Sequence, residues 1–440
     1  MPSQLALIIC VFFVIVLLII ENRQGTGTTK ALWLPTIWFM ATASKPLCYW
    51  LGIPGDESGS PADRFFLSTI FALGFLVILG RKRGLSSIIN KNKLVAILLI
   101  YMLLSTLWSD IPFTSLKRWV REAGAVVMVL LVATEPSPRE AIERLFRRWI
   151  YVLVPFSVLL IKYYPALGRA YGRWSGKVMW IGVTTQKNGL GRLCVIGVFF
   201  LIWALIRKDN NASAKKYLKY TDMLILIMAL WLLKGPPGSF SATAVVSLAV
   251  GIAIFIGLRG LKNLGVCVSP KVTAVILCFV IMFGVTTFMT EGFKLRDFAT
   301  SLGRDATLTG RTVVWSELIP VAMQRPFLGH GFGGFWTGYT RKMFDISEGH
   351  NGYLDLILDL GLVGLLLFSL FLLSSGLRAT KLMATDWEWG SFWICLLIMT
   401  FVHSITESSL NSFTSPMMAA ILFSHISLRS LDAIEAEDSE

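Results

Sequence analysis

LALIICVFFVIVLLII, from Leu5 to Ile20, contains no charged residue. It approaches the roughly 20 apolar residues that span a bilayer core. Uncharged runs of the same kind recur from Val272 to Met289 and from Leu360 to Leu373. An amphipathic helix on a soluble core would show a polar face at helical spacing, and these blocks do not. Hydrophobic residues make up 55% of the 440 and charged residues 15%, where a soluble chain carries about 25% charged. Mean hydropathy is +0.66. Length alone would suggest about two or three soluble domains; the apolar blocks point instead to one all-α bundle in lipid. No basic region precedes Leu5 and no small-x-small cleavage site follows Ile20, so the first block reads as a membrane helix rather than a cleaved signal. The six cysteines (Cys10, Cys48, Cys194, Cys267, Cys278 and Cys395) lie in or beside apolar segments without metal-ligand spacing. They read as small buried apolar residues.

By the criterion of roughly 20 residues per crossing, about thirteen spans are expected. They lie near 4–20, 31–52, 65–80, 94–109, 121–134, 149–164, 188–206, 222–234, 241–258, 272–289, 352–376, 390–405 and 415–428. Lys45 and Pro46 interrupt the second. With it the N-terminus is outside; without it there are about twelve spans and the N-terminus is inside. Basic residues cluster at Arg81 to Lys93, Arg139 to Arg148, Arg207 to Lys219, Arg259 to Lys271 and Arg378 to Lys381. These clusters fall at every second turn, which assigns them to the cytoplasm. The loops near 53–64, 110–120, 165–187, 235–240, 290–351 and 406–414 are then external. The expected organisation is N-terminal helices over 1–289, a large periplasmic loop over 290–351, C-terminal helices over 352–428 and an acidic cytoplasmic tail over 429–440. The net charge of +14 largely reflects the cytoplasmic clusters. No strip of basic and stacking aromatic residues suggests nucleic acid.

The external loop of about 60 residues is long enough to imply function. It carries Gly303-Arg304-Asp305-Ala306-Thr307-Leu308-Thr309-Gly310-Arg311 and Trp315, then Pro326-Phe327-Leu328-Gly329-His330-Gly331. It ends at His350-Asn351, with Gly361 and Gly364 in the helix that follows. Arginines flanked by glycines and hydroxyls suit phosphate, because guanidinium binds phosphate oxygens in pairs. An ordinary loop with exposed arginines is the plainer reading. His403 and Glu407 are spaced to share one helical face, as a site or as a polar anchor. His330 among its glycines and His425 in its apolar helix read as structural. Lys45 reads as a snorkelling side chain. Asp56, Glu57 and Asp63 could form a metal site, but they sit in a Gly/Ser/Pro-rich loop and look solvated. No metal motif is evident.

Leu308-Thr309-Gly310-Arg311 with Trp315, Pro326 with Gly329 and Gly331, and His350-Asn351 followed by Gly361 and Gly364 resemble the signature of the O-antigen ligase/polymerase (Wzy/WaaL) superfamily. Trp180, Gly182, Gln186-Lys187-Asn188 and Gly191 resemble a motif of exopolysaccharide polymerases. The resemblance runs in scattered pieces from about Ser105 to Glu407. It implies a GT-C-like, metal-independent membrane glycosyltransferase without cofactor. Such an enzyme takes a glycan from undecaprenyl diphosphate at the periplasmic face of the bacterial inner membrane and joins it to an acceptor glycan. His350 and Glu407 become the catalytic candidates. Arg304, Arg311, Lys187, Asn188, Arg169, Arg173 and Asn351 become candidates for binding diphosphate or glycan. Partners would be the lipid-linked oligosaccharide, the acceptor, membrane lipid, and accessory proteins such as a flippase and a chain-length regulator.

Repeat-unit polymerisation is the expected reaction. A ligase moving glycan to lipid A core or protein uses the same donor and remains an alternative. A transporter or flippase would show paired halves with helices broken at the midplane, and no such repeat is visible. A structural scaffold leaves the arginine and histidine motifs unexplained. Cationic side chains standing in for a metal predict that transfer by the purified protein survives EDTA. Loss of product with EDTA, restored by magnesium or manganese, would overturn this.

Overall fold

Backbone polar groups in lipid must be satisfied within the chain, which confines long apolar runs to helices. In chain order the first are α1 (Ser3–Asn22), α2 (Trp33–Thr42), α3 (Leu47–Leu51), α4 (Pro61–Gly80), α5 (Leu85–Lys91) and α6 (Lys93–Ser105). Then come α7 (Pro112–Ala133), α8 (Pro138–Tyr163), α9 (Pro165–Gly168), α10 (Lys187–Ile206), α11 (Lys216–Lys234), α12 (Ala242–Asn263) and α13 (Pro270–Met289). The large loop holds α14 (Arg311–Ala322) and α15 (Gly338–Met343), and α16 (Gly352–Leu382), α17 (Trp387–Ser404) and α18 (Pro416–Glu437) follow. The computed structural model describes all residues except 24–26, 54–59, 82–84, 173–175, 208–215, 290–310 and 438–440. Among the described residues the strands are β1 (Arg169–Tyr171) and β2 (Val178–Trp180), paired antiparallel with Ala170 opposite Met179.

Among the described residues six helices, α1, α4, α10, α12, α13 and α16, are long and apolar enough to cross a membrane. Their outer faces carry large exposed apolar side chains, such as Phe12, Leu76, Phe279 and Leu366. A water-soluble surface rarely gathers so many; hydrocarbon accepts them. The chain is an all-α polytopic membrane protein. Each of the thirteen expected spans falls on a helix, and the second falls on two. The C-terminal helix runs past the expected boundary at 428 to Glu437.

Pro46 explains the split, since it lacks an amide proton and pushes Lys45 out of helical conformation. The broken segment still joins the two ends of the bundle. At one end the Thr29 amide donates to Glu135 at 2.6 Å. At the other the Lys45 amide donates to Val183 O at 2.8 Å. The Tyr164 hydroxyl donates to Ser3 O at 3.0 Å, so the N-terminus of α1 lies at the same end as Lys45. The N-terminus of α1 thus lies at the same end as Val183 and Leu167, with which Lys45 bonds. Lys45 does not snorkel: it is buried and donates to Leu167 O and, at 3.2 Å, to Gly182 O.

The loops sort into two sets. The basic loops bond among themselves: Arg81 with Glu135, Arg139 with Asp386, Arg207 with Glu143 and Arg259 with Glu388. The other loops do the same: Arg325 with Asp110, Asn188 with Glu407, and Ser412 with Glu122. One expectation needs correction. Arg144, Arg147 and Arg148 are not in a solvated loop but buried in the first half of α8. Burying guanidinium requires a carboxylate partner. Glu21 faces both Arg144 at 2.6 Å and Arg148 at 2.8 Å, and Asp222 faces Arg147 at 3.1 Å.

Helix α16 is broken where it passes beneath the large loop. Gly361 takes φ 64° and ψ −167°, a region essentially confined to glycine. The break frees backbone groups that the loop satisfies. Leu362 N donates to Pro326 O at 2.8 Å, Val363 N to Phe327 O at 3.2 Å, and His330 N to Leu358 O at 2.8 Å. The Tyr101 hydroxyl donates to Leu360 O at 2.7 Å. Pro326, Gly329 and Gly361 thus form one structural joint. A Cβ on Gly361 would lie 2.2 Å from Phe327 O. Gly361→Ala is expected to destabilise the protein by at least about 1–3 kcal/mol from backbone strain alone, read as a lowered Tm in detergent. An unchanged Tm would refute the joint.

Candidate functional site

The joint holds the large loop against the N-terminal end of α16, where His350 and Asn351 stand. Asn351 is the N-cap. Its Oδ1 accepts from Tyr353 N and Leu354 N, each at 3.0 Å, and its Nδ2 donates to Ile405 O at 2.9 Å. Fully buried, it organises backbone and presents nothing to a ligand. His350 has φ 50°, a left-handed conformation uncommon outside glycine, asparagine and aspartate and often kept at functional positions. Its Nδ1 lies 3.4 Å from Glu348 Oε1 and 3.9 Å from Glu407 Oε2.

Glu407 is the centre of the group. It lies beyond the end of α17 and is fully buried. Its Oε1 accepts from Arg311 and, at 2.6 Å, from Asn188 Nδ2. Its Oε2 has no hydrogen-bond partner and faces His350. Each partner is delivered by a different element. Asn188 sits in the first turn of α10. Arg311 begins α14, with Trp315 one turn on, and Trp315 Nε1 donates to Gly349 O at 2.9 Å. That bond fastens α14 beside His350.

Burial alone would push the Glu407 carboxyl up. The Arg311 charge and the facing His350 override it and bring it down to about 2. For His350, burial alone would lower the imidazole. Glu407, then Glu348, outweigh burial and a smaller opposing effect of Arg311, and raise it above its ordinary value. The positive end of α16, which would favour neutral imidazole, is outweighed by these two carboxylates. The two carboxylates thus shift the imidazole towards its protonated form, against the local pull of the helix terminus.

Several sequence candidates converge: His350, Glu407, Arg311 and Asn188. Others do not. Arg169 on β1 donates from Nε to Ile161 O at 2.8 Å, tying the hairpin to α8. Lys187 lines a small crevice with Trp180 and Ser239. Arg173 and Arg304 lie outside the described residues. His403 does not pair with Glu407 across a helix turn; its Nδ1 meets Ser409 Oγ at 3.0 Å. The helix ends at Ser404, which turns Glu407 away from that face.

Sequence reasoning missed Glu348 and Asp355. Gln186 Nε2 donates to Glu348 Oε1 at 3.3 Å, which brings the Gln186-Lys187-Asn188 motif onto the site. Asp355 accepts from Gly349 N at 3.0 Å, Trp336 Nε1 at 2.8 Å and Ser408 Oγ. It braces the neighbours of both His350 and Glu407. The signal was present: ionisable residues within a membrane helix are costly and usually functional, and Asp355 and Asp359 lie one turn apart in α16.

Glu348, His350 and Glu407 each offer a ligand atom, and these atoms lie within 4.8 Å of one another. The Arg311 charge on Glu407 opposes a cation there. If transfer did require a metal, these residues would hold it; Asp56 and Glu57 lie outside the described residues. Asp63 is occupied by the Cys48 amide at 3.3 Å.

Residues 227–369 match the family described as O-Antigen ligase, a stretch that includes Arg311, Glu348 and His350. The exopolysaccharide production protein ExoQ of Rhizobium meliloti (strain 1021) is 24% identical over 291 residues, which are 63% of this chain and 62% of that protein. The similarity thus spans somewhat less than two thirds of the relative's length. With the loop motifs gathered around Glu407, these two matches support the resemblance to the O-antigen ligase/polymerase superfamily, with the similarity on the exopolysaccharide side.

Proposed function

We propose that this protein transfers a glycan from undecaprenyl diphosphate to a sugar hydroxyl on an acceptor glycan, as the polymerase of a polysaccharide repeat unit. The observation that carries the reading is the meeting of His350 and Arg311 on the buried Glu407 carboxylate. The acceptor hydroxyl attacks the anomeric carbon, the bond from that carbon to the diphosphate oxygen breaks, and lipid diphosphate leaves. His350 Nε2 takes the hydroxyl proton. Glu407 and Glu348 face Nδ1, orient the ring and stabilise the imidazolium that forms. Arg311, beyond its contact with Glu407, offers further N–H groups to the leaving diphosphate, whose charge grows as the bond breaks. In this reading the guanidinium takes the part a metal plays in other phosphate sites, and the enzyme is a GT-C-like transferase.

The described residues Arg81, Arg139, Arg207 and Arg259 of the basic loops pair at the end opposite this site, an end that the charge rule assigns to the cytoplasm. The site then faces the periplasm from the inner membrane. The match to the O-Antigen ligase description supports a second reading, in which the acceptor is lipid A core or protein. Product sizing separates the two: a polymerase gives a ladder and a ligase a single increment.

Arg311→Lys keeps the charge but loses the paired geometry. It is expected to cut polymer yield about tenfold or more, while the protein still inserts. Normal yield would sink the phosphate role. His350→Gln keeps a polar group that is not a base near neutral pH, and near-normal rates from it would remove the base assignment.

A base acts when deprotonated. Because the His350 imidazole is raised above 6.5, it gives up its proton only above that pH. The logarithm of kcat/KM should therefore climb with pH through a midpoint above 6.5 and then level off. Glu348→Gln removes one of the raising charges and should move the midpoint down. Activity that instead falls through this range would mean His350 works as a cation.

A further inference from the structure

Among the described residues, two buried atoms at the site lack a hydrogen-bond partner: His350 Nδ1 and Glu407 Oε2. They stand 3.9 Å apart, too far for a hydrogen bond. Glu348 Oε1 lies 3.4 Å from the same Nδ1. Folded proteins rarely leave a buried polar atom unsatisfied, and such an atom asks for an explanation. Here the open oxygen belongs to a fully buried carboxylate and faces an imidazole nitrogen that is also open. Three ligand atoms, all within 4.8 Å of one another, thus surround one point.

We propose that Glu348, His350 Nδ1 and Glu407 Oε2 form a site for a transition-metal dication of the zinc type, and that filling it silences transfer. Zinc takes nitrogen and carboxylate ligands, and three protein ligands leave its fourth position open. Ligands of a tetrahedral zinc, each about 2.0–2.1 Å from the metal, stand roughly 3.3 Å apart. The separations of 3.4 and 3.9 Å are close to that value. Glu348, with 20% of its side chain exposed, closes the remaining distance by turning inward. Magnesium prefers octahedral oxygen ligands and keeps several waters, which suits an imidazole and a buried carboxylate poorly.

The surroundings orient the ligands, as outer partners do at metal sites. Arg311 and Asn188 both bond Glu407 Oε1, which leaves Oε2 as the open donor. Gln186 Nε2 donates to Glu348 Oε1 at 3.3 Å. A metal enters from solvent past His350 and Glu348, whose side chains are 25% and 20% exposed. The Arg311 charge opposes any cation here, so binding falls to metals with a strong preference for imidazole.

Inhibition follows from the tautomer. Neutral imidazole has one N–H and one lone pair. A metal on Nδ1 takes the lone pair there and leaves the ring proton on Nε2. In the glycan-transfer reading Nε2 must accept the acceptor's proton, so an occupied site stops the reaction. The inhibition rests on that reading; the metal site does not.

The test uses the full-length protein in nanodiscs, treated with EDTA and then freed of chelator. It is titrated with cobalt(II), whose tetrahedral complexes absorb strongly in the visible, and then with zinc to displace the cobalt. Wild type is expected to give a visible band and His350→Gln none. Glu348→Gln should weaken zinc binding by about tenfold or more. Arg311→Gln should instead tighten it, because the opposing charge is gone; loss of a purely structural brace would not do so. Glu348→Gln keeps the test open should Arg311→Gln fail to fold. In the transfer assay zinc should stop product formation over the range in which it binds. Magnesium should not, and EDTA should restore the rate. Absence of a His350-dependent band, or unchanged zinc affinity in Glu348→Gln, would overturn the metal site. Zinc that fills the site while transfer continues at its normal rate would overturn the inhibition and the base role of Nε2, with the metal site left standing.

Discussion

An ionised carboxylate with no access to water is the constraint around which this end of the protein is arranged. Glu407 is fully buried, and burying a lone charge is prohibitively costly. Its charge persists because Arg311, Asn188 and His350 reach it from α14, from α10 and from the turn before α16. Removing one partner of a buried ion pair typically costs about 3–5 kcal/mol. Glu407 therefore binds four distant parts of the chain into one geometry. The same contacts set its chemistry: the Arg311 charge and the facing imidazole hold the carboxylate down, and in return it raises the imidazole.

The surrounding backbone makes that geometry repeatable. Asn351 caps α16 and fixes Ile405 in the loop that carries Glu407. Asp355, one turn into the helix, braces Gly349 on one side and Ser408 on the other. Below them, the break at Gly361 lets Pro326 to His330 bond directly to helix backbone. Irregular backbone is tolerated at membrane depth only where protein satisfies it, and the Gly-rich part of the large loop does this. Arg118 on α7 adds bonds to the carbonyls of Gly333 and Trp336. The described part of the loop is thus fixed to α7 and α16.

The opposite end shows the same economy of charge. Arg144, Arg147 and Arg148 look like a loop cluster in the sequence. Their side chains are nonetheless buried against Glu21 and Asp222. The charge rule reads where positive residues occur along the chain and is indifferent to what they pair with. The order of segments was consequently legible, while the start of α8 was not.

The sequence by itself determined the helical membrane fold, the alternation of its loops, and the grouping of His350, Glu407, Arg311 and Asn188 at one end. Uncharged runs of bilayer length leave the backbone no other structure, and motif spacing marks local geometry. Only the tertiary structure decided which residues meet. Glu348 joins His350, Arg311 pairs with Glu407, and Asn351 and Arg169 serve the backbone. Burial and partner charges depend on residues up to hundreds of positions away, and these set the basicity of His350 against the local pull of its helix. Hydrophobic periodicity is a property of neighbours in the chain. Electrostatic environment is a property of neighbours in space, and the fold alone supplies those.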